Sequence, residues 1–441
     1  MADPRVVPRA EHTLSRRDID PDALKVLYRL HQGGYTAYLV GGSVRDLLIG
    51  RHPKDFDVGT SAHPYQIKKL FRNCWIIGRR FRLAHVRFGP KIIEVATFRR
   101  QLAQDEEIVQ DGVPALVHAA PSGLAEAGRG ADHHLIHHEN TFGTPEEDAF
   151  RRDFTINALF YDIATFSLID YVSGLEDLRA RIVRSIGDPN IRFREDPVRM
   201  MRAVALSARL DFQIDPPILE AIETHRYELA RSSPARLLEE YYKILRSGYA
   251  ERTFRNLAAL GLLEPVSTEL HQGAGESLWR SLAALDAYRR RFERAPEALT
   301  NPVLLASVLV ALGLLPVDRW QESPAIGGDG TRRVPIGPRL GSLPLARRDL
   351  ERLRQLLGLQ RRLRDPASSP RARLALAQRS TFQDALTWFE INAGAAGVVD
   401  QWRAELSNTD QAAQPAAQVG SADQAIRRRR RRRRHFRPAP R

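Results

Sequence analysis

Cysteine is nearly absent from this 441-residue chain: Cys74 stands alone, so no disulfide can form within it, and a reducing cytoplasm is the expected setting. Long hydrophobic runs are missing too. The longest, Val303 to Leu315, spans thirteen residues and is too short to cross a bilayer, so a buried helix is expected there. The opening MADPRVVPRAEH has no apolar core of the kind a signal peptide needs. Acid is absent from Ile426 to Arg441, a stretch with ten arginines, eight of them consecutive from Arg427 to Arg434. Without those ten, the net charge of +14 falls to +4, so the remainder is only mildly basic. A block of like charges cannot fold against itself, and a disordered arm that binds polyanions such as RNA phosphates is expected. The 43% hydrophobic content is ordinary for a globular protein of two to four domains.

Two carboxylates dominate what is present. Asp55 and Asp57 lie in Lys54-Asp55-Phe56-Asp57-Val58, twelve residues after the turn Gly41-Gly42-Ser43. In an extended strand, residues i and i+2 share a face, so both acids project together while Phe56 points away. Paired carboxylates repel unless a divalent cation neutralises them, and the glycine turn lets a triphosphate approach main-chain amides. Glu94, in the β-rich run Lys91 to Phe98, is expected on a buried strand where a charge needs a partner. Gly89-Pro90 joins that run to Ala84–Phe88 as a hairpin turn. Three carboxylates can thus converge on a Mg²⁺ site for nucleotidyl transfer.

An alternating α/β pattern begins at a first helix, Pro21 to Gln32. It continues through strands at Tyr35–Val40 and Asp55–Val58, helices at Val44–Ile49 and His63–Arg72, and strands at Trp75–Ile77, Ala84–Phe88 and Ile92–Phe98. Residues 101–139 read as a mobile insertion rich in Gly, Ala, Pro, Asp and His. Its His133, His134, His137 and His138 have i, i+4 spacing that can bind Zn²⁺, although solvent-exposed histidines are the simpler reading. From Asp153 onward helices are expected, with Asp153 as an N-cap after the basic pair Arg151-Arg152. Such an end suits ribose and phosphates, and equally suits an ordinary capped helix. Asp196 and Arg199, i and i+3 on one predicted helix, either form a structural ion pair or read a base edge. A carboxylate and a guanidinium match the donor–acceptor edge of adenine or cytosine and not that of guanine or uracil.

The stretches LVGGSVRDLLIG, KDFDV, IIEVATFR, TFGTPEEDAFRRDFTINAL and EDPVRMMRA resemble the class II nucleotidyltransferases of the polymerase β superfamily, which comprise bacterial poly(A) polymerases and tRNA CCA-adding enzymes. The resemblance runs from about Ala37 to Leu245 and implies an α+β fold. Residues 1–20 form a loose N-terminus and 21–170 a mixed-sheet catalytic head. A helical neck follows at 171–260, a helical body and tail at 261–406, and a disordered arginine-rich end at 407–441. It also implies Asp55, Asp57 and Glu94 as catalytic metal ligands for two Mg²⁺ ions. Gly42 and Ser43 would lie at the triphosphate, Arg152 and Asp153 at the ribose, and Asp196 and Arg199 at the base, with Arg45 and Asn157 also among the nucleotide-binding residues. The run Ile76 to Val86, with Arg79, Arg80 and Arg82 placed to offset phosphate charge, is similar to bacterial poly(A) polymerases, so addition of AMP from ATP to RNA 3′ ends is expected. CCA addition to tRNA is the alternative within the family, and a non-catalytic RNA-binding protein the alternative outside it.

Overall fold

A computed structural model describes residues 3–78, 82–100, 142–315, 338–365, 369–393 and 397–405. Arg79, Arg80, the insertion with its four histidines and the run Arg427 to Arg434 lie outside the described residues. The chain divides into two compact units, Met1–Ser232 with Leu260–Leu262, and Ser233–Ala259 with Leu263–Arg441.

The first unit is built on an eight-stranded mixed sheet. Its strands are β1 (Arg5–Val7), β2 (Ala37–Val40), β3 (Asp57–Thr60), β4 (Cys74–Ile77), β5 (Leu83–Phe88), β6 (Lys91–Thr97), β7 (Leu159–Asp162) and β8 (Ser167–Asp170). They lie side by side as β1-β8-β7-β2-β3-β6-β5-β4, and only the β3–β6 pair is parallel. Helix α1 (Pro21–Gln32) begins where expected, with Pro21 in its first turn and Asp20 accepting from the amides of Asp22 and Ala23. Ala23, Val26, Leu27 and Leu30 form its buried stripe. Short helices α2 (Gly42–Leu48) and α3 (Pro64–Leu70) follow β2 and β3. The β5–β6 hairpin turns at Gly89-Pro90 as the sequence predicts, with Phe88 opposite Lys91 and Gly89 at φ 59°.

Three expectations are corrected. The N-terminal residues are not wholly loose: Arg5–Val7 pairs antiparallel with β8, and Leu14 and Ile19 are buried. The segment after Asp153 does not open a helix. A single 3₁₀ turn, Thr155–Asn157, leads directly into β7, and β7 and β8 complete the sheet. Leu159, Phe160 and Tyr161 are all fully buried: β7 lies inside the sheet between β2 and β8, and both of its faces are packed, Phe160 among Phe98, Ala149 and Ile186 and Tyr161 against His12, so it loses the alternation that marks a half-exposed strand. Asp55 lies just ahead of β3 rather than within it.

The second unit is helical. Asn301–Leu309 is buried on every side, which accounts for the apolar run around it, and among the described residues no helix is long and apolar enough to cross a membrane. The helix Pro234–Leu245 buries Leu237, Tyr241, Ile244 and Leu245. Asp286 accepts from the amides of Ala250 and Glu251 at 2.8 and 2.9 Å, satisfying two donors at the start of the helix Ala250–Ala259.

Candidate active site

The pairing of three strands assembles the site. Val40 at the end of β2 is opposite Asp57 at the start of β3, and Val58 pairs in parallel register with Val95. One residue back along both strands, Asp57 therefore lies beside Glu94, and the two share a face. Phe56 is buried while Asp55 and Asp57 are exposed, as the i, i+2 argument requires even though Asp55 precedes the strand. The Asp57 carboxyl is pushed up to about 6, by desolvation although solvent still reaches it, and then by the like charges of Glu94 and Asp55. Arg152 pulls in the opposite direction.

Glu94 is not the buried charge expected from its apolar neighbours. Along β6, Ile93, Val95 and Thr97 point into the core, while Glu94 shares the open face with Ile92 and keeps half of its side chain exposed. The difference is one of period: an apolar run suggests burial on both faces, whereas alternation places Glu94 outside. Its cross-strand neighbour is His85, with Nε2 3.5 Å from Oε1. Among the described residues no three acidic, histidine or cysteine side chains are drawn together closely enough to enclose an ion.

The glycine turn follows β2 without a break. Gly41 has φ 72° and ψ −131°, so the backbone demands glycine, and a Cβ there, 2.9 Å from Arg152 Nη1, would push the end of that side chain aside. On the expectation from the sequence that this turn receives a triphosphate, a Gly41→Ala chain should keep the head folded, with little change in the far-ultraviolet circular dichroism spectrum, and should bind ATP about tenfold more weakly in a direct titration. Ser43 is buried and its hydroxyl donates to Val40 O at 3.0 Å, so its backbone amide is what it can offer a phosphate. Arg45 also turns inward: its guanidinium holds Asp46 Oδ1 at 2.7 and 2.8 Å and donates to Asn157 Oδ1. Burial pushes that guanidinium's pKa down against the pull of Asp46. Arg45 thus braces the turn from beneath, and its presentation to a phosphate is not seen in this structure.

Arg152 sits where the elements meet. Asp148, on the helix Pro145–Phe150, receives Arg152 Nε and Nη2 at 3.1 and 2.9 Å, Arg151 at 2.8 and 2.6 Å, and the Arg99 amide at 3.2 Å. Burial works to raise the Asp148 carboxyl, and the two guanidiniums outweigh it, holding it below the usual range. Arg152 Nη1 also donates to Asn157 O, and its guanidinium lies 5.3 Å from the Phe160 ring centroid. Asp153 is no helix N-cap. Its Oδ1 accepts from the Phe154 amide and Asn157 Nδ2, and Oδ2 is 2.6 Å from Arg202 Nη2 as a contact ion pair. Burial again works upward, while Arg202 and these bonds hold the carboxyl low.

Asp196 and Arg199 do not share one helix. Pro197 keeps the preceding residue out of the helical region, and Asp196, at φ −147° and ψ 91°, separates the helix Pro189–Glu195 from Val198–Leu210. Both side chains nevertheless lie at this junction, where Arg199 Nη1 is 3.0 Å from Glu195 Oε2 and from Arg192 O. Arg192, Arg202 and Asp148 join the network without having been singled out by sequence. Arg192 Nη2 donates at 2.7 Å to the carbonyls of both Arg151 and Arg152, clamping the basic pair. Arg202 continues the spacing of Arg199 by three residues on the same helix, a signal open to sequence reading; nothing local marks Asp148 or Arg192.

Residues 37–184 match the model of the poly A polymerase head domain, and residues 211–273 match that of the probable RNA and SrmB-binding site of polymerase A. The poly(A) polymerase I of Escherichia coli O157:H7 is 50% identical over 261 residues, covering 59% of this chain and 53% of that protein. That of Haemophilus influenzae is 42% identical over 263 residues, 59% of this chain and 54% of its own length. The CCA-adding enzyme of Lactobacillus helveticus is 35% identical over 249 residues, 56% of each. The chain therefore spans about half the length of the curated relatives it matches. In fold, it is similar to the Bacillus stearothermophilus CCA-adding enzyme solved in complex with CTP, at a TM-score of 0.60 and 26% identity, covering 88% of this chain and 83% of that one.

Proposed function

From the match of residues 37–184 to the poly A polymerase head domain and the likeness to poly(A) polymerase I, we propose that this chain belongs to the family of bacterial poly(A) polymerases and CCA-adding nucleotidyltransferases and transfers AMP from ATP to RNA 3′ ends without a template, releasing pyrophosphate. The observation that carries this reading is the placement of Asp57 beside Glu94 and Asp55 on one open edge, with the glycine turn following the strand paired to Asp57. The hard oxygen donors of the three acids fit Mg²⁺, and the Asp57 carboxyl, raised first by desolvation and then by the charges of Glu94 and Asp55, is one whose ionised form such an ion would favour. Bound there, the metal would acidify the primer 3′-hydroxyl and offset charge on the pyrophosphate.

The chain's own residues bind and orient. The Gly42 and Ser43 amides face the triphosphate, with Arg45 bracing the turn, and Arg152 sets a positive charge between turn and carboxylates. Asp153 and Asn157 hold the ribose side, and Asp196 with Arg199 reads the base, which requires Arg199 to turn from Glu195 toward the nucleotide. In this reading the head at 21–170 is catalytic, and the helices of 171–260 and 261–406 contact RNA.

The greater identity to poly(A) polymerase I than to the CCA-adding enzyme supports AMP addition; the fold likeness to a CCA-adding enzyme keeps that activity as the second reading. Purified protein, an RNA primer, Mg²⁺ and each nucleoside triphosphate in turn decide between them. ATP alone should give a long homopolymer. Addition limited to three nucleotides requiring CTP and ATP would establish the second reading, and no incorporation at all would leave a binding protein.

The arginine run Arg427 to Arg434 is proposed to hold RNA phosphates from outside the catalytic head. Removing residues 426–441 should weaken RNA affinity and lower the salt slope by about 0.7 for each phosphate the run neutralises. Single-nucleotide addition at saturating RNA should be spared. A binding titration from low to high salt reads the difference, and an unchanged slope would refute the role.

A further inference from the structure

The second unit carries a basic groove that neither family model covers. It has a volume of about 510 Å³ and is lined by Gln355, Leu359, Arg362, Arg379, Ser380 and Thr381. Its two arginines come from separate elements: Arg362 from the helix Gln360–Arg364, and Arg379 from the turn after the helix Pro370–Ala377. Charge here is lopsided, since residues 347–380 hold ten arginines against three carboxylates. Several of the ten are committed within the fold: Arg352 to Asp384 at 2.7 Å, Arg373 to Glu405 at 2.7 Å, and Arg354 to Glu351 at 3.7 Å. Among the described residues no carboxylate pairs with Arg362 or Arg379, and both are exposed. Arg352 also donates to Ser380 O at 3.4 Å and so steadies the wall that presents Ser380 and Thr381.

From these positions we infer that the groove binds the sugar-phosphate backbone of single-stranded RNA, with Arg362 and Arg379 each on a phosphate and the Ser380 hydroxyl as a further donor. Two cations from separate elements, lining an open, polar groove larger than one phosphate ion, suit a run of phosphodiesters. Leu359 is buried beneath the groove and closes its floor. The inference rests on the reading of this chain as an RNA binder and is independent of its chemistry.

The test compares the full chain with an Arg362→Ala/Arg379→Ala variant, using a fluorescent 20-nucleotide RNA with no nucleoside triphosphate present. With two phosphates no longer neutralised, binding should weaken about tenfold and the salt slope should fall by about 1.4. An Arg362→Lys/Arg379→Lys variant should recover most of the slope. Because both side chains are exposed, the thermal transition of each variant should match the parent. AMP addition to a dinucleotide primer, whose single phosphodiester cannot occupy a two-phosphate groove, should be unchanged, and its loss would instead indict the head. Unchanged RNA affinity and slope in the alanine variant would overturn the inference. So would a variant that binds RNA normally but loses stabilisation by millimolar inorganic phosphate or ATP, since the groove would then hold a free phosphate.

Discussion

Asp57→Asn should abolish nucleotide transfer, lowering kcat by on the order of 10³-fold or more, while leaving the metal-free protein at least as stable as the parent. Asparagine keeps the shape and one carbonyl oxygen but removes the charge that a divalent cation requires. The stability half of the result follows from the desolvation of Asp57 and the like charges of Glu94 and Asp55 beside it. The Asp57 carboxyl is pushed up to about 6 from its ordinary 3.8, so the folded chain disfavours the ionised form. Below about 3.8 the group is protonated in both folded and unfolded chains and contributes no penalty. Between 3.8 and 6 the unfolded chain releases its proton first, and stability is lost as pH rises; above 6 the whole penalty is present. In a chelating buffer, the variant should therefore melt above the parent at pH 8, and the gap should close toward pH 4. Solvent at Asp57 screens the effect, so the gap is expected to be a few degrees at most. Transfer by the variant at more than a hundredth of the parental rate would remove Asp57 from the mechanism. A melting gap that widened toward low pH would contradict the charge argument.

Asp148→Ala should be the most destabilising single change near the site, costing about 3 kcal/mol. The side chain is buried, and its two oxygens receive both guanidiniums of the Arg151-Arg152 pair and the Arg99 amide. Alanine leaves those donors without their acceptor. Solvent reaches part of each arginine, which keeps the cost at the lower end of the range for a broken buried pair. Activity should fall further than stability accounts for, because Arg152 loses the anchor that holds it against Gly41 and within reach of Asp57. Calorimetry checks the first effect, and kcat measured well below the transition checks the second. Asp148→Asn should be milder in both, since one oxygen still accepts. A variant melting within about 2 °C of the parent would show that Asp148 is not the keystone of this network.

Much of the head is legible because its signals are local. The Asp20 cap and the i, i+3, i+4 stripe of α1, the Gly89-Pro90 turn and the alternation around Asp55-Phe56-Asp57 are each written within a dozen residues. Spacing alone places two acids on one side of the chain. Where the structure departs from the local pattern, a distant partner or a neighbouring proline has overridden it. Leu159–Tyr161 looks helical until β2 and β8 pair with its edges and distant groups, Ala149 and His12 among them, pack on its two faces. Asp196 and Arg199 look like one helical turn until Pro197 breaks it.

Sequence by itself determined the chemistry on offer: carboxylates at 55, 57 and 94, a glycine turn able to approach phosphate, and cations in excess near the end of the chain. Those are properties of residue type and short-range geometry, which survive without knowledge of the fold. Only the tertiary structure decided which groups meet. It took the parallel register of β3 and β6 to put Asp57 beside Glu94, and the reach of Asp148 and Arg192 to fix where Arg152 stands. The reason is physical: strand register and buried ion pairs depend on partners far apart along the chain, and no local period encodes them.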